Sequence, residues 1–175
     1  MKKFLIFFLF LFVVESTFAS PASSIKAMIG FIRYNKSEKA LAFIDVEKFS
    51  EKLLQSEYSK LNDSQKKEFQ AAVSKYIVNK SFPVAQKYFD KVDLTFEKET
   101  KKGKETTVPA SLLYKGSQKI KFAWIMEEKS GKFLVTDFLM DGKRISDVNR
   151  EQQLLPLLKK EGFESMVKKL NKASD

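Results

Sequence analysis

Two apolar runs separated by a short glycine turn, within residues 119–141, constrain this chain more than any other feature. In the first run Ile120, Phe122, Trp124 and Met126 alternate with Lys121 and Glu127, the period-2 pattern of a strand with one buried face. The second run is apolar on both faces. Phe133, Val135 and Leu139 fall on one side, Leu134, Phe138 and Met140 on the other, so this strand is expected to be central and covered on both sides. Lys-Ser-Gly between the runs supplies a hairpin turn. A two- or four-residue turn sets Trp124 opposite Asp137, whereas a three-residue turn ending at Gly131 sets it opposite Thr136, and both registers stay open.

The rest of the chain feeds into this hairpin or closes over it. Lys2 and Lys3 precede an unbroken apolar run at residues 4–14, and Thr17 and Ala19 stand at the −3 and −1 positions of a small-residue cleavage site. Residues 1–19 therefore read as a cleavable signal peptide, too short for the ~20 residues of a spanning helix. The chain carries +10, and loss of Lys2, Lys3 and Glu15 leaves +9. Only Arg33, Arg144 and Arg150 are arginine, which argues against nucleic acid as partner and for lysines spread over solvated faces. With no histidine and no cysteine there is no Ser-His-Asp or Cys-His nucleophile, no ordinary zinc site and no disulfide framework. Six glycines form no phosphate-binding loop, so no catalytic residue, metal ligand or cofactor site is assigned.

Residues 20–42 are expected to be a Pro/Ser/Ala linker and a short N-terminal helix weakened by Gly30. Asp45 can cap a helix from Val46 to about Tyr58, with Val46, Phe49, Leu53 and Leu54 inward. Asn62 with Gln65 forms a capping box for a longer helix carrying Phe69, Val73, Tyr76 and Ile77 on one face, which Pro83 should kink or restart. After Asp90 the period changes to alternation through Val92, Leu94 and Phe96. A basic tip, Lys101-Lys102-Gly103-Lys104, leads into a strand over residues 106–114, where Pro109 predicts an edge or an irregularity. With the hairpin this makes four antiparallel strands. Beyond Gly142, Ser146 or Asp147 can cap a helix that meets Pro156 and stops near Gly162, and Phe163, Met166, Val167 and Leu170 line a last helix. The fold class is α+β: a curved four-stranded antiparallel sheet packed with helices and a helical C-terminus.

Five stretches, in order, resemble the MlaC family of periplasmic toluene-tolerance or phospholipid-binding proteins. They are Ile44-Asp45-Val46-Glu47-Lys48-Phe49, residues 61–69 opening the long helix, Gly131-Lys132-Phe133-Leu134-Val135-Thr136-Asp137, Asp141-Gly142 with Ser146, and the tail from Arg150 and Gln152 to Gly162-Phe163. Thr136 departs from the family's tyrosine, the region before Phe43 is shorter, and Pro156 interrupts the usual helix. The resemblance covers residues 43–172 as one phospholipid-binding domain. It implies a nuclear-transport-factor-2-like sheet and a monomeric, non-enzymatic carrier in the periplasm of a Gram-negative bacterium, with phospholipid as cargo rather than cofactor. It also implies an inner-membrane ABC transporter complex and an outer-membrane lipoprotein complex as partners.

Carriage sets a physical requirement. An acyl chain leaving a bilayer forfeits about 0.8 kcal/mol per CH₂, so a ~16-carbon tail must regain on the order of 12 kcal/mol from apolar protein surface. Eleven of the 17 phenylalanines and the single tryptophan lie beyond residue 19. With the resemblance, the expected lining is Val73, Tyr76 and Ile77 from the long helix and Leu112, Tyr114, Phe122, Trp124, Met126, Val135 and Leu139 from the sheet. Ordinary core packing is the competing account of each, because aromatic stripes mostly fill cores. Asp137 is expected to be a buried, hydrogen-bonded structural carboxylate, with catalysis beside a tyrosine as the lesser reading. Lys101, Lys102 and Lys104 form either a solvated turn or a transient contact with an anionic membrane surface. The alternative function is a secreted, solid-core module binding a protein partner through its basic face.

Overall fold

The computed structural model describes residues 20–90 and 92–175, so the leader expected over residues 1–19 lies outside the described residues. The first element of the described residues is α1, Pro21–Arg33, which begins inside the expected linker. Ser20 caps it by accepting a hydrogen bond from the Ser23 amide at 3.1 Å, and Pro21 sits at its first turn, where a missing N–H costs nothing. Ile25, Met28, Ile29 and Ile32 recur at helical spacing and are all buried. Gly30 costs such a helix about 1 kcal/mol relative to alanine, less than burying a single isoleucine of that stripe returns.

Next come α2, Ser37–Leu41, and α3, Val46–Leu54, whose expected cap is present: the Asp45 carboxylate accepts from the Lys48 amide at 3.0 Å. The helix ends earlier than expected because Gln55 turns to φ 49°, after which a single turn, α4, spans Ser56–Ser59. The capping box of Asn62 and Gln65 closes in both directions, at 2.9 and 3.0 Å, and starts α5, Asp63–Tyr76. That helix passes through a π-helical turn, Ile77–Ser81, into α6, Phe82–Phe89. Pro83 has no N–H to donate and its ring crowds the carbonyl four residues back, so the widened turn lets the helix run on. The same device recurs near the C-terminus. α7, Ile145–Asn149, leads through a π-helical turn, Arg150–Leu154, into α8, Leu155–Ser174, with Pro156 in its first turn. Gly162, at φ 81° and ψ 175°, breaks α8 where the stop is expected, and α5 packs on α8.

The sheet has six strands, which corrects the expected four. They are β1, Thr95–Phe96; β2, Thr100–Lys102; β3, Glu105–Tyr114; β4, Gln118–Lys129; β5, Lys132–Met140; and β6, Lys143–Arg144. The order is β1-β3-β4-β5-β6, with β2 also paired to β3 and every pairing antiparallel. Pro109 explains the broken first strand. Its carbonyl accepts from the Glu97 amide at 2.9 Å, but its ring nitrogen, on the same edge, has no hydrogen to return. The sixth strand is the two-residue return after Asp141 and Gly142, both at positive φ. On the same side of β5, Val135 exchanges backbone bonds with Phe43 and Asp45 at 2.8 and 2.9 Å.

The two-residue turn, one of the two expected, occurs, but neither expected partner of Trp124 does. Ser130 and Gly131, at φ 53° and 74°, make a two-residue turn that pairs Lys129 with Lys132. Met126 pairs with Val135 but Ile125 with Asp137, so Thr136 is bulged out and Trp124 stands opposite Phe138. One extra residue reverses the alternation of β5, because the side-chain period is two. Val135 and Phe138 therefore share a face with Val108, Ala110, Leu112, Phe122, Trp124 and Met126, and this face meets α1 and α6.

Candidate functional site

The centre of this apolar layer is aromatic. Phe122 lies edge-on to Trp124 at 5.0 Å between ring centroids, and Phe138 stacks on Phe122 at 5.5 Å. Phe96 from β1 stacks on Trp124 at 6.1 Å, and Phe89 from α6 lies within 6.1 and 6.3 Å of Phe122 and Trp124. Four strands or helices thus contribute one ring or more to a single cluster, and the side chains of the chain itself occupy the space beneath Trp124. Offset and edge-to-face pairs of this kind add about 0.5–1.5 kcal/mol each beyond their buried area.

Seven of the ten residues named from the sequence meet in this layer. Val73, Ile77, Leu112, Phe122, Trp124, Met126 and Val135 belong to the one buried core. Tyr114 is half-buried at its rim, its ring 5.1 Å from Tyr88. Two residues depart from expectation. Tyr76 is 37% exposed, because the inward stripe of α5 runs through Phe69, Ala72 and Val73 and leaves Tyr76 on the outer side. Leu139 pairs with Ala123 on the opposite face from Trp124, carried there by the bulge at Thr136. Sequence reasoning missed Phe89, Phe96 and Phe138 as neighbours of Trp124, and missed α1 as a wall of the layer. The stripe Ile25, Met28, Ile29, Ile32 was the available signal for α1, whereas Phe138 needed the register.

The opposite face of the sheet holds a polar bracket. Arg144 forms a bidentate pair with Glu105 at 2.7 and 3.1 Å, and Lys52 from α3 donates to Glu105 and to the Thr136 hydroxyl, each at 2.8 Å. Arg144 foremost, with Lys52, holds the Glu105 carboxyl down at about 2, and Glu105 in turn raises Arg144. Asp137 is 1% exposed and accepts from the Phe138 amide at 2.8 Å, the Ser146 amide at 3.2 Å and the Ser146 hydroxyl at 2.7 Å. Ser146 is therefore not the cap of α7; Asp137, from the sheet, binds the first turn of that helix instead. Arg144 stands 3.5 Å from the same carboxylate. Asp137 has the environment of the structural carboxylate expected of it, and no tyrosine is among its hydrogen-bond partners in the described residues.

Described residues also form two surface depressions. One, of about 670 Å³, lies between Asp90, Asp93, Ser111, Leu113, Lys115 and Lys119. The other, of about 450 Å³, lies along α8 by Glu164, Lys168 and Asp175. Leu112 is the one residue of the expected lining that borders either.

Against known proteins, residues 15–172 match the family described as MlaC protein. The chain belongs to the MlaC family. The match begins well before Phe43 and so takes in α1. Among solved structures, the chain resembles a phospholipid-binding protein from Ralstonia solanacearum solved in complex with a phospholipid. The TM-score is 0.72 at 12% identity, over 87% of this chain and 93% of that one. At that identity the likeness is one of fold. No curated protein sequence matches the chain. In this MlaC family member, Thr136 is the bulged residue whose hydroxyl accepts from Lys52.

Proposed function

We propose that this protein is a phospholipid carrier, exported to the periplasm, that holds acyl chains between the sheet and the helices. The observation that carries the reading is the continuous apolar layer walled by α1, α6 and the Trp124 face of the sheet, in a member of the MlaC family. A protein of similar fold was solved in complex with a phospholipid, which supports lipid binding in this reading. A nuclear-transport-factor-2-like sheet is part of this reading. So are transfer between the two membranes, an inner-membrane ABC transporter complex and an outer-membrane lipoprotein complex as donors and acceptors, and the absence of catalysis.

Carriage requires the layer to accept hydrocarbon, so rings that now touch would have to part. Phe89, Phe96 and Phe138 come from three different elements, and the rings they contact, Phe122 and Trp124, from a fourth, so relative movement of α6 and the sheet would open the layer without breaking a strand pairing. Organic extraction of the exported protein followed by mass spectrometry should yield close to one phospholipid per chain. Protein that is repeatedly lipid-free and takes none from vesicles would refute carriage.

One observation favours a second reading. The rings around Trp124 lie at packing distance, as in a solid core. A solid-core module would bind a protein partner through its basic face and carry no lipid, and the same extraction separates the two.

A further inference from the structure

The exposed side of the α5–α6 helix has a composition that the carrier reading does not use. Across residues 69–89 there is no aspartate or glutamate; the charged residues are Lys75, Lys80 and Lys87. Tyr76, Val84 and Tyr88 are 37%, 52% and 39% exposed on this helix, spaced by eight and four residues, and Lys80 falls in the same four-residue row. The π-helical turn Ile77–Ser81 lies inside the row. Tyr88 continues sideways onto Tyr114, over whose ring Lys115 Nζ lies at 5.4 Å. Residues 76–88 span roughly 20 Å at 1.5 Å per residue. The carboxylates around it are Glu68, exposed on α5 just before this stretch, Asp90 just past its C-terminal end, Glu38 on α2, which contacts the π turn, and Asp175, which pairs with Lys75.

We propose that this stripe docks the protein on a bilayer containing anionic phospholipid, the helix lying in the headgroup plane. Tyrosine, with an apolar ring and a polar tip, suits that plane, and lysines can lay their stems along it with their charges outward. A lysine-flanked apolar stripe free of carboxylates is complementary to a negative lipid surface in both respects. The opposite side of the same helix carries Ile77, Phe82 and Phe89 into the apolar layer. Docking there would bring the proposed cargo layer to the membrane, and in that respect the inference rests on the carrier reading. It also moves the membrane contact away from the Lys101–Lys104 tip.

Flotation of the full exported chain with vesicles tests it. Binding to vesicles of phosphatidylethanolamine and phosphatidylglycerol should be at least tenfold tighter than to phosphatidylcholine vesicles, and weaker in high salt. V84E/Y88E should lower it at least tenfold while the chain still unfolds cooperatively, since both positions are exposed; K101E/K102E/K104E should leave it intact. If V84E/Y88E fails to fold, K80Q/K87Q carries the test, with loss of preference for the anionic vesicles expected and an unchanged preference overturning the proposal. The idea is also overturned if the wild type does not float, if V84E/Y88E floats like the wild type, or if only the tip variant loses binding. A dimer seen by light scattering and abolished by V84E/Y88E, without flotation, would assign the stripe to self-association. Phospholipid in the extract without flotation sinks docking alone; flotation of a lipid-free protein sinks carriage alone.

Discussion

Asp137 shows how much one side chain can hold together. Its carboxylate, fully enclosed, ties the backbone of β5 to the first turn of α7 and borders the Arg144–Glu105 pair. Asp137→Ala would leave two amides and a hydroxyl without their acceptor and Arg144 short of one counter-charge. We expect a loss of about 3 kcal/mol, read as a shift in the urea midpoint at constant slope. Glu105 makes a separate prediction about pH. Its folded value, about 2, lies below the ordinary 4.5, so the stability it contributes is complete above about pH 4.5 and is lost as pH falls toward 2. Glu105→Gln should therefore narrow the stability gap between pH 7 and pH 3. An equal gap in wild type and variant would show that other carboxylates govern acid unfolding.

At the scale of elements, the bulge at Thr136 sets which side chains face the helices. Deleting Thr136 would join Val135 directly to Asp137, so β4 and β5 would pair without interruption while Asp137 stays opposite Ile125 and Phe138 stays opposite Trp124. The expected outcome is a cooperatively folded chain that has lost only the Thr136 hydroxyl bound by Lys52, and a deletion variant without a cooperative unfolding transition would refute this account of the register. Gly131, at φ 74°, has open space around its α-carbon, so Gly131→Ala should cost only the left-handed backbone, about 1 kcal/mol in chemical denaturation. The two proline-linked π turns belong to this scale too. Each lets one helix serve two neighbours, α5 against α8 before the turn and α6 against α1 after it.

For the whole molecule the question is whether the layer under Trp124 opens. Trp124 is the single tryptophan and is 3% exposed among four phenylalanine rings, so its fluorescence should change in position and intensity when phospholipid enters. An emission spectrum indifferent to lipid, in protein shown by extraction to have loaded it, would place the acyl chains elsewhere. Val135→Trp offers a steric check. It should cost about 1–3 kcal/mol by overpacking and reduce lipid loading while circular dichroism stays that of the native fold.

The parts legible in the amino-acid sequence are those whose cause lies within a few residues. The caps at Asp45 and Asn62–Gln65, the restart near Pro83, the break at Gly162 and the hairpin about Gly131 all depend on neighbours in the chain, and local chemistry determines them. The apolar alternation also marked most of the buried layer, because a side chain's face follows from its parity in the strand. Parity fails at a bulge, so Phe138 and Leu139 exchanged their expected sides. Only the tertiary structure decided that α1 closes one wall, that Tyr76 faces out, and that Lys52, Glu105, Asp137 and Arg144 form one bracket. Lys52 and Glu105 are 53 positions apart, and Glu105 and Arg144 are 39 apart. No periodicity links them; they meet because the sheet's register and the packing of α3 bring them within hydrogen-bonding reach.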